Sequence, residues 1–600
     1  MNAGLKTFLL SVVVFSISFF YFYNTSELLP IGAGPDYTAH NDAVDFIYQN
    51  SRLPILPDDE EALRYTVYGS TRALRPPLTY VVTAVLVRLL PESSKTNLRL
   101  AYRKGSVLLC ALTITLVFYS LRMFFTSTGI GLTGALLLGL MPQFTFIASY
   151  NNDDSGAIFT VTLMLTVLLL VYQRGLNMLL AVLFGLSSGL LILSKPTAWV
   201  LFPTIVLFIL LFVRFAAPKL IAYSVVVLTT TIIAGGWWIV FNIHHYGAND
   251  PFARKIAIHH AEQRSRLKPN VAKSFNEKGV SYYDLFIGSH RNFWGATARS
   301  TIGKLDWLKL NMGAMQYTLY LAVFFVALAY YFLRVGGFML SGLSKQGDVD
   351  SADRRQLVLE GLLFFAIVFQ ISMYVWRNMN TEIQLQGKYI IPVALAVLFL
   401  FFAATHRFGN WLTDTLNEKG IYSLSIVDIN RAGLLLFSVS IILIHLQGLW
   451  AHVIPFYRPR VHDLSMSGFR PLNINNTDVT IIRDIDTIEV SEGSLRISMT
   501  GPDPQLVLDP KFCESIIGNV LLKAKFQSDG PGLLQIFVDQ GRGFNEDDSY
   551  RAKYGNDGSE VLVAMGNEHC SRIRLDPGTQ PGQVVIDNIS VARVRIRPLN

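Results

Sequence analysis

Residues 5–23 read LKTFLLSVVVFSISFFYFY and contain one charged residue, Lys6. A run of this length can cross the roughly 30 Å hydrocarbon core of a bilayer as a helix. The following residues, NTSELLPIGAG (24–34), offer no small-x-small cleavage site next to the end of the run. We therefore expect a retained first membrane span rather than a signal peptide.

The same apolar pattern recurs along most of the chain. Of 600 residues, 51% are hydrophobic and only 16% are charged, which is typical of a polytopic membrane protein. Apolar blocks long enough to span lie near 5–23, 103–125, 129–149, 155–172, 177–194, 197–216, 219–241, 313–334, 357–376, 388–404 and 432–451. The sequence predicts about eleven transmembrane helices within residues 1–455, with outer loops at 24–102 and 242–312.

Several function classes find no support. The formal charge is +8, but no basic run interleaved with aromatic residues is present, so nucleic-acid binding is not expected. No Walker A loop, dinucleotide fingerprint or nucleophile elbow occurs, which argues against ATP-driven transport and cytosolic nucleotide-sugar chemistry. A donor substrate must then come through the membrane or from outside.

The distribution of basic residues predicts the orientation, because short cytoplasmic loops are enriched in Lys and Arg. One set of alternate loops holds Arg122, Arg174, Arg214, Lys219, Arg334, Lys345, Arg354, Arg355, Arg407, Lys419 and Arg431. The short loops of the other set hold Lys195, Arg377 and Lys388. We expect the first set and the N-terminus to be cytoplasmic. The block Pro76–Leu90 then cannot cross, and we predict a helix along the outer membrane face.

On this topology the unusual acidic groups share the outer side. Asp36 and His40 are four residues apart in GPDYTAH (34–40), which places them on one face of a helix. Asp153 and Asp154 stand in NNDD (151–154), between two spans. Helix capping is the simpler alternative for these carboxylates. Together they suit activation of a hydroxyl or amine acceptor beside an anionic donor, so the four residues are catalytic candidates.

Cations at the outer boundaries could hold that donor. The candidates are Arg75 in RPPLTY (75–80), Lys195 in LSKPT (193–197) and Lys388 in QGKYIIP (386–392). Snorkelling side chains are the simpler alternative. Gln386 and Tyr389 beside Lys388, and Arg291 in the loop 242–312, complete the substrate-binding candidates. His259 and His260 lack metal-ligand spacing with a clear third ligand, so no metal site is assigned.

In their arrangement, these five motifs resemble the bacterial type C membrane glycosyltransferases, whose relatives include protein O-mannosyltransferases and the aminoarabinose transferase of lipid A. The nearest group shows a Pro-Asp-Glu pattern with His and a Gln-Gly-Arg-Tyr pattern. The present chain has Tyr37 in place of the Glu and Lys388 in place of the Arg. Lys keeps the charge but loses the bidentate fork.

The resemblance implies an inverting glycosyltransferase that moves a sugar from a polyprenyl-phosphate donor to a glycan, lipid or protein acceptor outside the bacterial cytoplasmic membrane. Asp36 would orient or deprotonate the acceptor, and Asp153 or Asp154 would be the second acidic site residue. Arg75, Lys195 and Lys388 would hold the donor phosphate. A divalent cation, Mg²⁺ or Mn²⁺, is left open as a cofactor. A transporter or flippase of lipid-linked sugars and a non-catalytic polysaccharide assembly component are the competing readings.

From about residue 456 the pattern changes to short alternating runs, including SLRISM (494–499), NVLLKAKF (519–526), LLQIFV (533–538) and EVLVAM (560–565). They predict an antiparallel β-sandwich over residues 456–600. The stretch RIRLDPGTQPGQVVIDNISV (572–591) resembles carbohydrate-binding jelly-roll modules; a structural cap is the alternative. If this domain lies outside the cytoplasm, Cys513 and Cys570 could form a disulfide.

Overall fold

The computed structural model divides the chain into two compact units, Met1–Arg458 and Pro459–Asn600. It describes residues 3–598 apart from 31, 67–68, 92–96, 214–216, 265–272, 289, 344–350, 419–425, 458–461, 492, 542, 557 and 559. Three basic residues used above for orientation, Arg214, Lys345 and Lys419, lie outside the described residues.

The first unit is almost entirely helical. Its α-helices are α1 Ala3–Leu28, α2 Tyr37–Asn50, α3 Leu78–Leu89, α4 Leu98–Ala101, α5 Arg103–Phe125, α6 Thr128–Gly139, α7 Pro142–Ala148, α8 Asp154–Arg174, α9 Met178–Ile192, α10 Phe202–Phe212, α11 Ala217–Thr231, α12 Trp237–Tyr246, α13 Arg254–Arg264, α14 Tyr282–Phe286, α15 Phe293–Ile302, α16 Ala314–Leu343, α17 Ser351–Asn380, α18 Ala394–Glu418, α19 Ile426–Gly448 and α20 Ile454–Tyr457. Short 3₁₀ segments lie at Glu60–Ala62, Pro196–Leu201, His290–Asn292, Gly387–Tyr389 and Ile391–Val393. Strands β1 Lys304–Leu305 and β2 Leu310–Asn311 form a short antiparallel pair.

Eight stretches of the described residues are long and apolar enough to cross a membrane. They are Gly4–Leu28, Leu98–Phe125, Asp154–Arg174, Pro218–Tyr246, Ala314–Met339, Ala352–Asn380, Ile391–Thr415 and Arg431–Tyr457. The pair α6 and α7 counts as a ninth if it is one bent span. Met178–Ile192 and Pro196–Phe212 are apolar but shorter. The chain is therefore a polytopic helical membrane protein, as predicted, while the count of eleven spans is not confirmed.

The block predicted at 129–149 is broken rather than straight, with a bend of 73° between α6 and α7. Pro142 occupies the first position of α7, and Met141 before it has an extended backbone (ψ 122°). Proline has no N–H for an intrahelical hydrogen bond and disfavours helical geometry at the preceding residue. This break directs the chain toward the segment that carries Asp153 and Asp154.

Helix α3 lies in the block Pro76–Leu90, which the sequence predicts not to cross the membrane. Its 12 residues span about 18 Å at about 1.5 Å per residue, too short for the hydrocarbon core. Two glycines let it lie close to the spanning helices: a Cβ at Gly105 of α5 would come within 1.8 Å of Thr83 Oγ1, and one at Gly156 of α8 within 2.3 Å of Thr79 Oγ1. The close approach anchors α3, and with it Arg75, beside the start of α8.

The second unit is built from antiparallel strands. They are β3 His462–Met466, β4 Arg470–Pro471, β5 Val479–Arg483, β6 Ile485–Ser491, β7 Ser494–Met499, β8 Gln505–Leu508, β9 Gly518–Ser528, β10 Gly532–Asp539, β11 Ser549–Tyr554, β12 Glu560–Asn567, β13 Arg572–Asp576 and β14 Gly582–Pro598, with one helical turn, α21 Cys513–Ile516. One sheet has the order β11-β10-β13-β8-β5, and the other runs β12-β9-β14-β7-β6 with β3 and β4 also paired to β14.

The two sheets share one hydrophobic core. In β12, Val561, Val563 and Met565 are buried while their neighbours are exposed, the period-2 pattern of a half-buried strand. Residues from both sheets, including Ile497 and Ile536, belong to the same buried cluster. The predicted β-sandwich is thus confirmed. A disulfide joins Cys513 and Cys570, whose Cα atoms are 5.3 Å apart, and Cys110 is buried and unpaired.

Candidate active site

Asp36 occupies the N-cap position of α2 but does not cap the helix. Its backbone is left-handed, with φ 55° and ψ 19°, and its side chain makes no capping hydrogen bond. An N-cap Asp ordinarily has extended geometry and accepts from an N–H of the first turn. A left-handed conformation at a non-glycine residue is uncommon and often marks a functional position. The carboxylate is therefore aimed away from its own helix.

Arg72 is the partner of that carboxylate. Its Nη2 donates to Asp36 Oδ2 at 2.5 Å. Burial raises the pKa of Asp36, but the charge and hydrogen bond of Arg72 lower it further, so the net pKa lies below its ordinary value. Asp36 keeps 36% of its side chain exposed, against 3% for Asp153 and Asp154. It is the carboxylate that an incoming substrate can reach.

The loop before Asp36 is held from two sides. Arg103 of α5 donates to the carbonyls of Leu29 at 2.6 Å and Pro30 at 2.9 Å, which satisfies groups at the end of α1. Gly34 lies against the Tyr150 ring, since a Cβ there would come within 2.2 Å of it. These contacts fix the loop against both α5 and the segment before α8.

Asp153 and Asp154 form a buried ion-pair network with Lys195. Asp153 is the N-cap of α8 and Asp154 its first residue. Lys195 Nζ donates to Asp153 Oδ1 and Asp154 Oδ1, each at 2.8 Å. Asp153 makes no side-chain capping hydrogen bond to α8. Both carboxylates instead accept from one cation, which lies at the break between α9 and α10.

Two further cations complete the network. Arg75 Nη1 donates to Asp153 Oδ2 at 2.5 Å, and Lys388 Nζ lies 3.1 Å from Asp154 Oδ2. Burial lowers the pKa of Arg75, but Asp153 raises it further, so the guanidinium stays charged. Three cations therefore face two carboxylates. We call Arg75, Lys195 and Lys388 the cation cluster. Together with the buried carboxylates of Asp153 and Asp154, the cation cluster carries one net positive charge.

The turn that carries Lys388 is set by close packing against α15. Gly387 N donates to Ser300 Oγ at 2.8 Å, and a Cβ at Gly387 would come within 1.9 Å of Thr301 Oγ1. Gln370 of α17 donates to the carbonyls of Tyr389 at 2.7 Å and Thr197 at 3.3 Å. One side chain thus ties the Lys388 turn to the Lys195 turn.

Tyr389 presents its ring to the cations. Lys195 Nζ lies 5.0 Å and Lys388 Nζ 5.7 Å from the ring centroid. The Tyr389 hydroxyl donates to Gln384 Oε1. Cation–π contacts of this kind hold the ammonium groups without neutralising them.

His40 is buried and neutral. Its Nδ1 and the Tyr80 hydroxyl are 2.9 Å apart. Burial lowers the pKa of His40 to about 3, although the charge of Asp153 raises it. Asp36 precedes α2 in a left-handed conformation, and its backbone carbonyl accepts from His40 N at 3.1 Å. The His40 side chain contacts Tyr80 of α3.

The remaining candidates are placed less centrally. Gln386 lines a small cleft beside Lys388, together with Pro35 and Tyr150. The backbone of Arg291 lies in the 3₁₀ turn His290–Asn292, and its side chain is outside the described part of the chain.

The residues present do not fit a divalent cation well. Among the described residues, no group of three or more His, Cys, Asp or Glu could hold a metal. The oxygens of Asp153 and Asp154 already face Arg75, Lys195 and Lys388. Mg²⁺ and Mn²⁺ favour carboxylate and carbonyl oxygens, not ammonium neighbours. No step is assigned to a metal.

The structure gathers Asp36, Asp153, Asp154, Arg75, Lys195, Lys388 and Tyr389 around one region, with His40 packed against it. Sequence reasoning missed Arg72, Tyr80 and Tyr150. Arg72 stands three residues before Arg75, at helical spacing, and that proximity is the only sequence signal for it.

A family model described as "Predicted membrane protein (DUF2142)" matches residues 28–397, more than half of the chain. ArnT from Cupriavidus metallidurans in the apo state is similar at 15% identity, with 76% of this chain and 72% of that chain covered and a TM-score of 0.40. The same protein bound to undecaprenyl phosphate gives 15% identity, 74% and 72% coverage, and a TM-score of 0.39. The carbohydrate-binding module CBM29_1 from Piromyces equi gives 13% identity over 22% of this chain and 91% of that one, with a TM-score of 0.17. No curated protein matches the chain.

Proposed function

The chain belongs to the DUF2142 family of predicted membrane proteins, and we propose that it is an inverting membrane glycosyltransferase that moves a sugar from a polyprenyl-phosphate donor to an acceptor. The observation that carries the proposal is the accessible Asp36 carboxylate, held by Arg72, in the same region as a buried cluster with one net positive charge. An acidic group for the acceptor and cations for an anionic leaving group are the two requirements of this reaction.

The cation cluster supports an anionic ligand. Ammonium and guanidinium groups in a buried site interact with phosphate more strongly than they would in water. Lys388 is the best placed of the three, because its ion pair with Asp154, at 3.1 Å, lacks hydrogen-bond geometry. We propose that the donor phosphate contacts Lys388 and Arg75, while Asp153 and Asp154 keep the cations in position.

An apolar cavity of about 420 Å³ supports a lipid donor. It is lined by Leu137 and Met141 near the α6–α7 break, by Trp294 and Thr301 of α15, and by Ile390 close to Lys388. Nearly all of its lining is aliphatic or aromatic. An isoprenoid chain in this cavity would place its phosphate at the Lys388 turn.

The reaction then proceeds by one displacement. The acceptor oxygen forms a bond to the anomeric carbon on the face opposite the phosphate, and the bond from that carbon to the phosphate oxygen breaks. The bonding electrons leave with the polyprenyl phosphate, whose charge the cation cluster stabilises. Asp36 accepts the proton of the acceptor hydroxyl. Since the pKa of Asp36 is lowered, it is a weak base and takes the proton late, when the anomeric carbon already carries positive charge.

The proposed location is the bacterial cytoplasmic membrane, with the N-terminus in the cytoplasm and the site and C-terminal unit outside. The Cys513–Cys570 disulfide supports this placement of the C-terminal unit, because disulfides persist in oxidising compartments. We also propose that this unit binds glycan. An exposed polar cavity of about 370 Å³ on β9 and β14, lined by Lys525, Gln527, Asp529 and Gln583, supports that role.

The test is transfer of radiolabelled sugar by the purified chain in nanodiscs, with a panel of polyprenyl-phosphate sugars and an envelope glycan extract as acceptor. We expect product with one donor, release of polyprenyl phosphate in equal amount, and inversion at the anomeric carbon. Movement of intact donor across the bilayer of liposomes, without transfer, would overturn the proposal in favour of a flippase.

A further inference from the structure

A second polar cavity, of about 550 Å³, lies along α2. One face of this helix, including Ala43, Val44 and Ile47, is buried against α3 and its surroundings. The cavity is on the other face. It is lined by Tyr37, Thr38, Asn41, Asp42 and Asp45 of α2, and by Arg64, Asn97, Leu98, Arg99 and Tyr102. This α2 cavity has one aliphatic side chain in its lining, in contrast to the apolar cavity that Ile390 lines.

The groups that line the α2 cavity suit a hydroxyl-rich ligand. Asp42 accepts from Arg64 N through Oδ2 at 2.8 Å, and within the described residues no partner occupies its Oδ1. Arg64 and Arg99 are exposed, and the positive charge of Arg64 acts on the Asp42 carboxylate. Carboxylates accept from sugar hydroxyls and guanidiniums donate to them, so neighbouring hydroxyls can be held in pairs.

Aromatic and amide groups add to this character. Tyr102 donates to Asp45 Oδ1 at 2.6 Å, which fixes its ring beside the carboxylate. Tyr37 lies next to Gly32, where a Cβ would come within 3.4 Å of its ring. Ring faces pack against the C–H groups of a sugar, and amides such as Asn97 serve hydroxyls as donor or acceptor.

The α2 cavity is connected to the candidate site through the chain itself. Tyr37 directly follows Asp36. Asn151 Nδ2 donates to Asn41 Oδ1 at 3.0 Å, which links the cavity wall to the segment that carries Asp153. The α2 cavity therefore begins one residue after Asp36 and shares a hydrogen bond with the segment before α8, although Asp36 itself does not line it.

We propose that the α2 cavity binds the acceptor and that the acceptor is a saccharide rather than a lipid alcohol or a peptide side chain. That the bound saccharide is an acceptor rests on the proposed function. That these residues bind a saccharide does not. A lipid alcohol would need an apolar lining. A peptide acceptor would need an extended run of backbone partners, and side chains make this wall.

The experiment measures binding first and transfer second. The purified full-length chain in nanodiscs is titrated with di- and trisaccharides of glucose, galactose, mannose and N-acetylglucosamine. Variants are Asp42→Asn, Arg99→Ala and Thr38→Trp; the last fills the cavity without removing a charged partner. The exposed loop variant Asp58→Asn is the matched control, and thermal unfolding checks that each variant is folded.

We expect at least one saccharide to bind, with affinity reduced about tenfold or more in the three variants and unchanged in Asp58→Asn. In transfer assays the acceptor KM rises in the same variants, while the donor KM stays within about twofold. Asp36→Asn should bind saccharide normally and lose transfer. No binding by the wild type, or binding and acceptor KM unaffected in all three variants, would overturn the inference. Absence of transfer with saccharide binding intact would instead remove the proposed reaction and keep the saccharide site.

Discussion

The carboxylate of Asp36 lies 2.5 Å from the guanidinium of Arg72 and makes no hydrogen bond to the helix that Asp36 begins. This geometry distinguishes the two interpretations of Asp36 that the sequence left open, a helix cap and a catalytic carboxylate. A capping Asp would accept from the first turn of α2. The observed geometry keeps the carboxylate ionised, oriented and partly exposed, which is what a group that receives a proton requires.

Replacing Arg72 with Met should shift the acid limb of the pH profile. Burial raises the pKa of Asp36 and Arg72 lowers it, so without Arg72 the pKa rises. A base acts only when ionised, so kcat/KM should begin to fall at a higher pH than in the wild type. Brief initial-rate assays across acidic pH measure this. Arg72→Lys keeps the charge and should shift less. An unchanged limb would show that Asp36 is not the titrating base.

Replacing Lys195 with Met should destabilise the membrane unit strongly. The substitution removes the cation that donates to both buried carboxylates and leaves Asp153 with Arg75 and Asp154 with Lys388. Two hydrogen bonds between charged groups are lost, and each is worth about 1.5–3 kcal/mol. Adding Asp154→Asn should recover part of the loss, because it removes one of the two carboxylates. Thermal unfolding in detergent compares both with Lys278→Met at an exposed position. Equal stability of Lys195→Met and the control would contradict the network.

His40 should make the unfolding free energy depend on pH in the acidic range. Burial lowers the pKa of His40 in the fold to about 3, whereas an unfolded His titrates near 6.5. The unfolded chain therefore binds a proton that the folded chain excludes. The stabilisation is present above about pH 6.5 and is lost as the pH falls toward 3, by up to about 1.4 kcal/mol per pH unit.

The measurement is Tm against pH for the wild type, His40→Gln and the exposed-site control His259→Gln. His40→Gln cannot titrate and should show a shallower fall between pH 6.5 and 4. Parallel curves for all three proteins would assign the dependence to other groups.

Removing the charge of Lys388 should affect transfer more than folding. Lys388→Met deletes a cation proposed to stabilise the departing phosphate, and loss of one such group typically lowers kcat about 10²- to 10³-fold. Lys388→Arg keeps the charge and should retain most activity. Rates at saturating donor, with Tm as the check on folding, separate the two effects. A Met variant as active as the Arg variant would place the phosphate elsewhere.

Local sequence was sufficient to select the candidate residues that stand beside prolines and apolar blocks. Asp36 after Pro35, Lys195 before Pro196 and the Asp153–Asp154 pair were all predicted at one surface, because each interrupts a membrane-length pattern. Arg72 was not predicted, since its only sequence signal is its position three residues before Arg75. Its position depends on α3 lying close to α5 and α8, which follows from contacts at Gly105 and Gly156 that are distant in sequence.

The ion-pair partners of the site residues could not be predicted from the sequence either. That Lys195 would bridge both carboxylates depends on where the break after α9 meets the start of α8. Pro142 indicates the bend between α6 and α7. Hydropathy alone does not indicate that α9 and α10 are shorter than a membrane span.

The most direct test of the central claim is sugar transfer by Asp36→Asn, compared with the wild type and with Asp58→Asn at matched amounts of folded protein. The substitution keeps the size of the side chain and removes its ability to take a proton. The account predicts product from one polyprenyl-phosphate sugar in the wild type and in Asp58→Asn, and loss of product in Asp36→Asn with donor binding retained. Wild-type rates of transfer in Asp36→Asn would contradict the account.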